Sequence, residues 1–162
     1  MPDDMVDDES MITPAMEAAI GKTGKPITVE INRELVVRMA DAIEEDDPEL
    51  RAVLKSDEPN PIVPHWAMFT AYARLRQERV PDTPNQGLMA ADEMWMLAPL
   101  RVGDRITIVP RVADIQERIG GRVGHSLFVH HEWTYTNQDG VEVARSRRTI
   151  THFKRRHTGE SQ

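Results

Sequence analysis

Histidine and carboxylate side chains are the groups of this chain that could move protons, because its 162 residues include no cysteine. His65 is the first candidate, since it opens an almost wholly apolar segment that runs to Tyr72. A helix beginning there would lower the proton affinity of the imidazole and keep it neutral, as a general base requires. The alternative is that His65 only bonds the backbone at a helix start.

Two acidic residues, Asp92 and Glu93, lie in the strand predicted after that helix. Adjacent residues of a strand point to opposite faces, so at most one of them can face a pocket, and a solvent-facing role is the alternative. We place Asp92 and the nearby Trp95 among the candidate substrate-binding residues. The side chains of His130 and His131 should likewise point to opposite faces of their strand. No spacing of histidines suits a metal ion, so no metal site is predicted.

Hydrophobic periodicity predicts the elements that position these side chains. Helical spacing covers residues 15–20, 33–44 and 64–77. Strand patterns cover residues 27–31, 87–97, 106–112, 127–135 and 141–153. A polar connection is expected over residues 48–61, turns at Gly120–Gly121 and Asn137–Gly140, and an edge or bulge at Pro110. An apolar helix followed by a hairpin-rich sheet indicates an α+β hot-dog fold, in which an antiparallel sheet wraps a long central helix.

Composition and charge narrow the class of protein. The chain is 40% hydrophobic with a net charge of −7, which suits one globular domain and argues against binding nucleic acid. The domain is expected over residues 13–153, after a disordered acidic N-terminus at 1–12 and before a basic flexible tail at 154–162. The acidic start is unlike a signal peptide and no long apolar span occurs, so we expect a cytoplasmic protein with no membrane partner.

Three segments carry a family resemblance when their order and spacing are taken together. They are Met39–Ile43 running into Asp46-Asp47-Pro48, the Pro99–Asp104 turn, and the Tyr135–Gly140 turn. Between residues 27 and 153 the chain resembles the MaoC-like dehydratases, in particular the N-terminal, dyad-lacking hot-dog domain of type-2 (R-specific) enoyl-CoA hydratases. The resemblance implies addition of water to a 2-enoyl thioester without a cofactor. It also implies that backbone amides at the start of the central helix hold the thioester oxygen.

The catalytic signature of that family is D-x-N-P-x-H. Laid on this chain, its aspartate falls on Glu45, its asparagine on Asp47, its proline on Pro48 and its histidine on Leu50. A leucine side chain can neither accept nor donate a proton, so the dyad is incomplete. Trp66 falls where many relatives have glycine, and its ring could narrow the acyl pocket while its N–H points at the substrate oxygen. Plain core packing of Trp66 is the alternative.

Three hypotheses follow from the resemblance. The leading one is an accessory, non-catalytic subunit of a heteromeric R-specific enoyl-CoA hydratase or 3-hydroxyacyl dehydratase. Its partners would be an acyl-CoA or acyl-carrier thioester and a second hot-dog subunit that carries D-x-N-P-x-H. The second is a self-sufficient homodimeric hydratase or thioesterase using Glu45 or His65, and the third is an acyl-thioester binding module. The substrate-binding candidates are His65, Trp66, Ala67, Met68, Asp92 and Trp95.

Overall fold

A computed structural model describes residues 9–72, 75–120 and 124–154. The expected acidic N-terminus and basic tail therefore lie largely outside the described residues, as does Gly121 of the predicted glycine turn. The helices of the described part are α1 (Pro14–Glu17), α2 (Arg33–Ala42), α3 (Pro48–Lys55) and α4 (Phe69–Tyr72), with a 3-10 helix at His65–Met68. The strands are β1 (Ile27–Glu30), β2 (Ile62–Val63), β3 (Gln86–Met96), β4 (Leu100–Arg101), β5 (Arg105–Arg118), β6 (Ser126–Thr136) and β7 (Glu142–Phe153).

The main sheet has five antiparallel strands in the order β1-β5-β6-β7-β3, and β2 pairs separately with β4. Alternating burial along β6 and β7 gives the sheet one apolar face, which the helical segment covers through Ala67, Met68 and Ala71. The three long strands predicted from alternation are confirmed. The fold is α+β, a curled antiparallel sheet around a helix, which is the hot-dog arrangement.

The central helix is much shorter than the 64–77 predicted from apolarity. A 3-10 turn from His65 leads into α4, which is described as far as Tyr72, and the backbone from Leu75 to Val80 is not helical. Side chains of β6 hold this later stretch instead: the Trp133 indole donates to the Arg76 carbonyl at 2.9 Å, and Gln77 bonds His131 at 2.9 Å. Tertiary hydrogen bonds therefore replace the helical ones that the sequence pattern favoured.

The connection predicted over residues 48–61 contains a helix, α3, that the sequence analysis missed. Asp47 caps it by accepting from the backbone N–H groups of Glu49 and Leu50, and Pro48 occupies its first turn. Leu54 is buried against the main core, and the Arg33 guanidinium donates to carbonyls at the C-terminal end, including Val53 and Leu54. Capping and one buried leucine suffice for a short helix in a polar stretch.

Most of the other predicted bounds are close to those observed, but β5 continues to Arg118, six residues past the predicted end at residue 112. Helices α1 and α2 and strand β1 end earlier than expected, at Glu17, Ala42 and Glu30. Pro110 lies in β5, where its carbonyl accepts from the N–H of Gly24, three residues before the start of β1. The position where its N–H is missing therefore faces away from the β5–β6 ladder. Within the described residues, no helix is long and apolar enough to cross a membrane.

Replacing the cap of α3 tests this local account. We expect Asp47→Ala to lower the free energy of unfolding by about 1 kcal/mol, because two amide groups lose their acceptor. Asp46→Ala removes an adjacent exposed carboxylate that makes no such bond and should change stability by less than about 0.5 kcal/mol. Urea denaturation followed by circular dichroism measures both, and equal losses would contradict a capping role for Asp47.

Candidate functional site

The segment aligned with the catalytic signature forms the start of α3. Asp47 is the N-cap, and Leu50 packs its side chain against the main core from a partly buried position. The Arg51 guanidinium ties the segment to the end of α2, donating to the Glu45 carbonyl at 2.7 Å and to the Ala40 carbonyl at 3.1 Å. In this chain the signature positions thus include a helix cap and a residue packed on the core, and Arg51, just after them, holds the backbone.

Glu45 and Trp66, which the sequence placed separately, are brought into contact. The indole N–H of Trp66 donates to Glu45 Oε2 at 3.0 Å, and Glu45 Oε1 accepts from the Asp47 backbone N–H at 3.2 Å. The indole N–H of Trp66 is therefore already paired within this chain. Trp66 is partly buried and also packs against the main core.

His65 is exposed and lines an open cleft of about 360 Å³. The other lining residues are apolar and come from β2, the end of β3 and the segment that follows it: Ile62, Val63, Met96, Leu97, Ala98 and Pro99. An apolar cleft with one imidazole at its rim could hold an acyl group or part of a thioester arm. It is the described cleft that best matches the sequence expectation for His65.

Ala67 and Met68 do not line this cleft. Both side chains are fully buried in the main core, and the Ala67 backbone N–H donates to the Pro64 carbonyl at 3.0 Å. That amide is one of those expected to hold a thioester oxygen at the helix start. Because it is already paired, it is not available to a ligand in this conformation.

Asp92 faces the end of the central helix, where it joins two residues that the sequence analysis did not connect with it. Its carboxylate accepts from the Tyr72 hydroxyl and from Arg148 Nη2, the latter at 2.8 Å, and Arg148 also donates to the Tyr72 oxygen at 2.6 Å. Burial, followed by the hydrogen bond to Asp92, raises the pKa of Tyr72. No sequence spacing predicts this cluster, because its members lie on a helix and two strands that meet only in the fold.

Trp95 lies on the opposite face of β3 from Asp92, three residues along the strand, so the two cannot line one pocket. Its register partner is Arg145, and both side chains are exposed. Three arginines of β7 each have a carboxylate partner. The pairs are Arg145 with Glu142, Arg147 with Glu132 and Arg148 with Asp92.

The histidines of β6 diverge as predicted. His130 bonds Thr149 Oγ1 at 2.9 Å on one face, whereas His131 is buried on the other beside Gln77. Burial lowers the pKa of His131 to about 4, so this imidazole is neutral at pH 7. Across the described ranges, no group of three or more His, Cys, Asp or Glu residues is arranged to hold a metal ion.

Two of the segments that carried the resemblance contact each other. Asp104, at the end of the Pro99–Asp104 turn, is buried and accepts from the Gln138 amide at 3.0 Å, while Gln138 accepts from the Arg105 N–H at 2.9 Å. Asn137 Oδ1 accepts from the backbone N–H groups of Asp139 and Val141 within the second turn. These segments are characteristic of the fold because their hydrogen bonds hold two of its turns against each other.

Comparison with solved structures supports the fold at low sequence identity. A chain of the ChsH1-ChsH2 complex from Mycobacterium tuberculosis is 18% identical, with a TM-score of 0.65 and coverage of 90% of this chain and 91% of that one. A MaoC-like dehydratase from Rhodospirillum rubrum is 20% identical (TM-score 0.58; 85% and 94% covered). A chain of the HadBC (3R-hydroxyacyl-ACP dehydratase) complex from Mycobacterium tuberculosis is 18% identical (TM-score 0.58; 82% and 96% covered).

A comparison with curated proteins finds no significant match. The family model described as "FAS1-like, dehydratase domain region" matches residues 18–146, which is most of the chain and includes every candidate site residue. The matched region contains the α2–α3 connection, the central helix and all but the last residues of the long-stranded sheet. The chain therefore belongs to the FAS1-like dehydratase-domain family, the MaoC-like dehydratases of the hot-dog fold.

Proposed function

We propose that this chain is the accessory, non-catalytic half of a heteromeric R-specific enoyl-thioester hydratase or 3-hydroxyacyl dehydratase. A second hot-dog subunit supplies the D-x-N-P-x-H dyad, and an acyl-CoA or acyl-carrier thioester is the substrate. The observation that carries the proposal is Leu50, which occupies the histidine position and packs against the core. Among the described residues, the hydrogen bonds that Glu45 accepts come from Trp66, Asp47 and Arg51, and none comes from an imidazole.

The chemistry of thioester hydration explains why the residue at position 50 decides between a catalytic and an accessory role. Hydration of a 2-enoyl thioester needs a base to activate water for attack at C3 and an acid to deliver a proton to C2. Glu45, at the position of the family aspartate, uses both carboxylate oxygens to bind protein N–H groups. A carboxylate so engaged and a leucine beside it do not form a proton-transfer pair, so the partner must contribute both groups.

The edge of the sheet supports pairing with a second hot-dog domain. Strand β3 is the last strand of its sheet, and its 11 residues make backbone pairs only with β7 among the described strands. Its first half carries large apolar side chains, with Leu88 60% and Met89 64% exposed. A long edge strand with exposed apolar residues is rarely left uncovered, because it offers unpaired N–H and C=O groups to other strands. A partner that continues the sheet along β3 would satisfy both features.

Blocking that edge tests the proposed assembly. The double variant Leu88→Lys, Met89→Lys should weaken association with the dyad-carrying partner by at least about tenfold, since each side chain loses about 1.5 kcal/mol or more of burial. Thioester hydration by a dilute mixture should fall in parallel. Analytical ultracentrifugation of the mixed subunits measures the association, and circular dichroism checks that the variant keeps its fold.

The matched control is Ile119→Lys, which places a lysine on a residue that is 58% exposed beyond the end of β5. This change should leave association unaffected, because β6 and β7 lie between β5 and β3 in the sheet. Association that survives the double variant, or that the control weakens equally, would count against pairing along β3.

A self-sufficient homodimer is the second candidate, and one observation favours it. His65 is exposed at the rim of an apolar cleft, where its imidazole could act on a bound thioester. Under this alternative the isolated chain turns over substrate, and His65→Ala abolishes that turnover. Binding of an acyl thioester without turnover in any assembly would instead support a binding module.

A further inference from the structure

A row of polar side chains crosses the inner face of the sheet from its edge to its interior. Asp92 on β3 is the register partner of Arg148 on β7, and Arg148 is in turn the register partner of His131 on β6. Exposure falls along the row, because Asp92 is exposed, Arg148 is half-buried and His131 is only 2% exposed. The row therefore leads inward from the β3 edge, where we propose that the partner subunit binds.

Two nitrogen atoms at the buried end of this row have no hydrogen-bond partner among the described residues, Arg148 Nε and His131 Nδ1. A guanidinium nitrogen only donates. Gln77 Nε2 lies 2.9 Å from His131 Nε2, and an amide nitrogen also only donates. The neutral imidazole therefore accepts at Nε2 and carries its proton on Nδ1. Both unpaired groups are thus buried donors without an acceptor, which is a costly arrangement unless something supplies one.

The charges of the row determine which acceptor suits these donors. The positive charge of Arg148 is offset by Asp92, whose carboxylate it binds at 2.8 Å. Burial lowers the pKa of His131 to about 4, and burial raises the pKa of Tyr72, so both groups are neutral at pH 7. Because no positive charge is left over, a carboxylate or phosphate would lose its hydration here without compensation. A neutral carbonyl or hydroxyl oxygen suits the two donors.

Aromatic side chains surround the donors. The Arg148 guanidinium lies 5.4 Å from the centre of the Tyr72 ring and 5.8 Å from that of Trp133. The ring centres of His131 and Trp133 are 6.3 Å apart. Phe69, which is 49% exposed, packs edge-on against Tyr72 and extends this surface toward the start of the central helix. A few polar groups within an apolar and aromatic surface are typical of a site for an organic ligand.

We propose that Arg148 and His131 form a subsite for a neutral oxygen, a carbonyl or hydroxyl, carried by the acyl group of the thioester far from its reacting carbons. The inference rests on the proposed accessory function and adds the class of acyl group. Tyr72 follows His65 by seven residues, roughly 10–14 Å along the central segment, so the oxygen bound here is not that of the thioester. Asp92 and Tyr72 are positioning residues, because they hold the guanidinium.

Hydration of two matched substrates by the complex tests this subsite. The kcat/KM for 9-oxo-2-decenoyl-CoA should exceed that for 2-decenoyl-CoA by at least about tenfold, because only the ketone gives the two donors an acceptor. His131→Phe and Arg148→Lys each remove one donor and should each lower this ratio by about threefold or more. The double variant should bring the ratio close to one. His130→Phe, on the opposite face of the same strand, is the control and should leave the ratio unchanged.

A nuclear magnetic resonance measurement needs no substitution. In a complex that contains the isotope-labelled chain, the saturated thioester 9-oxodecanoyl-CoA should move the Nδ1–H proton resonance of His131 downfield, because that group gains a hydrogen bond. Decanoyl-CoA has no such oxygen and should leave the resonance where it is.

Three results would overturn the subsite. A kcat/KM ratio near one in the unsubstituted complex would mean that the donors bind an interior water only. An equal response of the His131 resonance to both saturated thioesters would show that the oxygen is not bound there. Variants that weaken assembly without changing the ratio would assign the acceptor to the partner subunit.

Failure of the accessory function looks different. The isolated chain would then turn over 2-decenoyl-CoA by itself, or no active complex would form with a dyad-carrying subunit. In either case the resonance measurement, made on the isolated chain, would still decide whether His131 binds the oxygen.

Discussion

Trp133→Ala is expected to lower the free energy of unfolding by about 3–5 kcal/mol, among the largest effects of any single change in this domain. Trp133 is only 1% exposed and lies on β6 in the centre of the sheet's apolar face. Its indole N–H donates to the Arg76 carbonyl, and the Arg148 guanidinium lies 5.8 Å from its ring. Truncation would therefore leave a cavity, an unpaired carbonyl and an arginine without its aromatic neighbour.

The chain offers a matched control for this prediction. Trp95→Ala removes the same side chain from the outer face of β3, where it is 42% exposed, and should cost less than about 1 kcal/mol. Urea denaturation followed by far-ultraviolet circular dichroism avoids relying on tryptophan fluorescence. If the two substitutions cost the same, the assignment of Trp133 to the core face and Trp95 to the outer face would be wrong.

Much of the fold could be predicted because its long strands alternate cleanly. Leu127, Val129, His131, Trp133 and Tyr135 occupy every second position of β6, and four of the five are apolar or aromatic. Turn residues then separate β6 from β7, so the meander follows from period and turn chemistry alone. The order of the five strands could not be obtained this way, because nothing local in β3 shows that it pairs with β7 at the edge.

The helices show where local pattern fails. The segment after Tyr72 is rich in helix-forming residues, yet Arg76 and Gln77 bond side chains of β6 and the backbone from Leu75 is not helical. In contrast, α3 forms in a polar segment because Asp47 caps it and Leu54 is buried. Both outcomes depend on contacts with residues far away in sequence, which propensity does not contain.

The candidate site, too, could be predicted from the sequence only in part. Alignment of the signature places Glu45 and Leu50 at key positions, and the structure adds that Glu45 binds Trp66, which no spacing indicated. The cluster of Tyr72, Asp92 and Arg148 was equally hidden, because the register between β3 and β7, with a bulge between Met89 and Ala91, decides which side chains meet. Sequence identifies residues able to do chemistry, whereas register and packing decide which of them act together.

The proposed placement of the dyad on the partner has a large expected consequence for catalysis. In the active complex, replacing the histidine of the partner's D-x-N-P-x-H by alanine should lower kcat for crotonyl-CoA hydration by about 10³-fold, the usual range for loss of a general base. His65→Ala and Glu45→Gln in this chain should each leave kcat within about threefold, because neither residue touches the reacting atoms under this account. Sedimentation must show that every variant still assembles.

Hydration of crotonyl-CoA, followed by the loss of the enoyl-thioester absorbance, is the measurement that tests the accessory role most directly. It should be made on the isolated chain, the isolated partner and their complex, with these three substitutions in the complex. The account predicts no turnover by the isolated chain, full turnover by the complex, and loss of turnover only with the partner's histidine. Turnover by the isolated chain that His65→Ala or Glu45→Gln abolishes would contradict it and establish a self-sufficient enzyme.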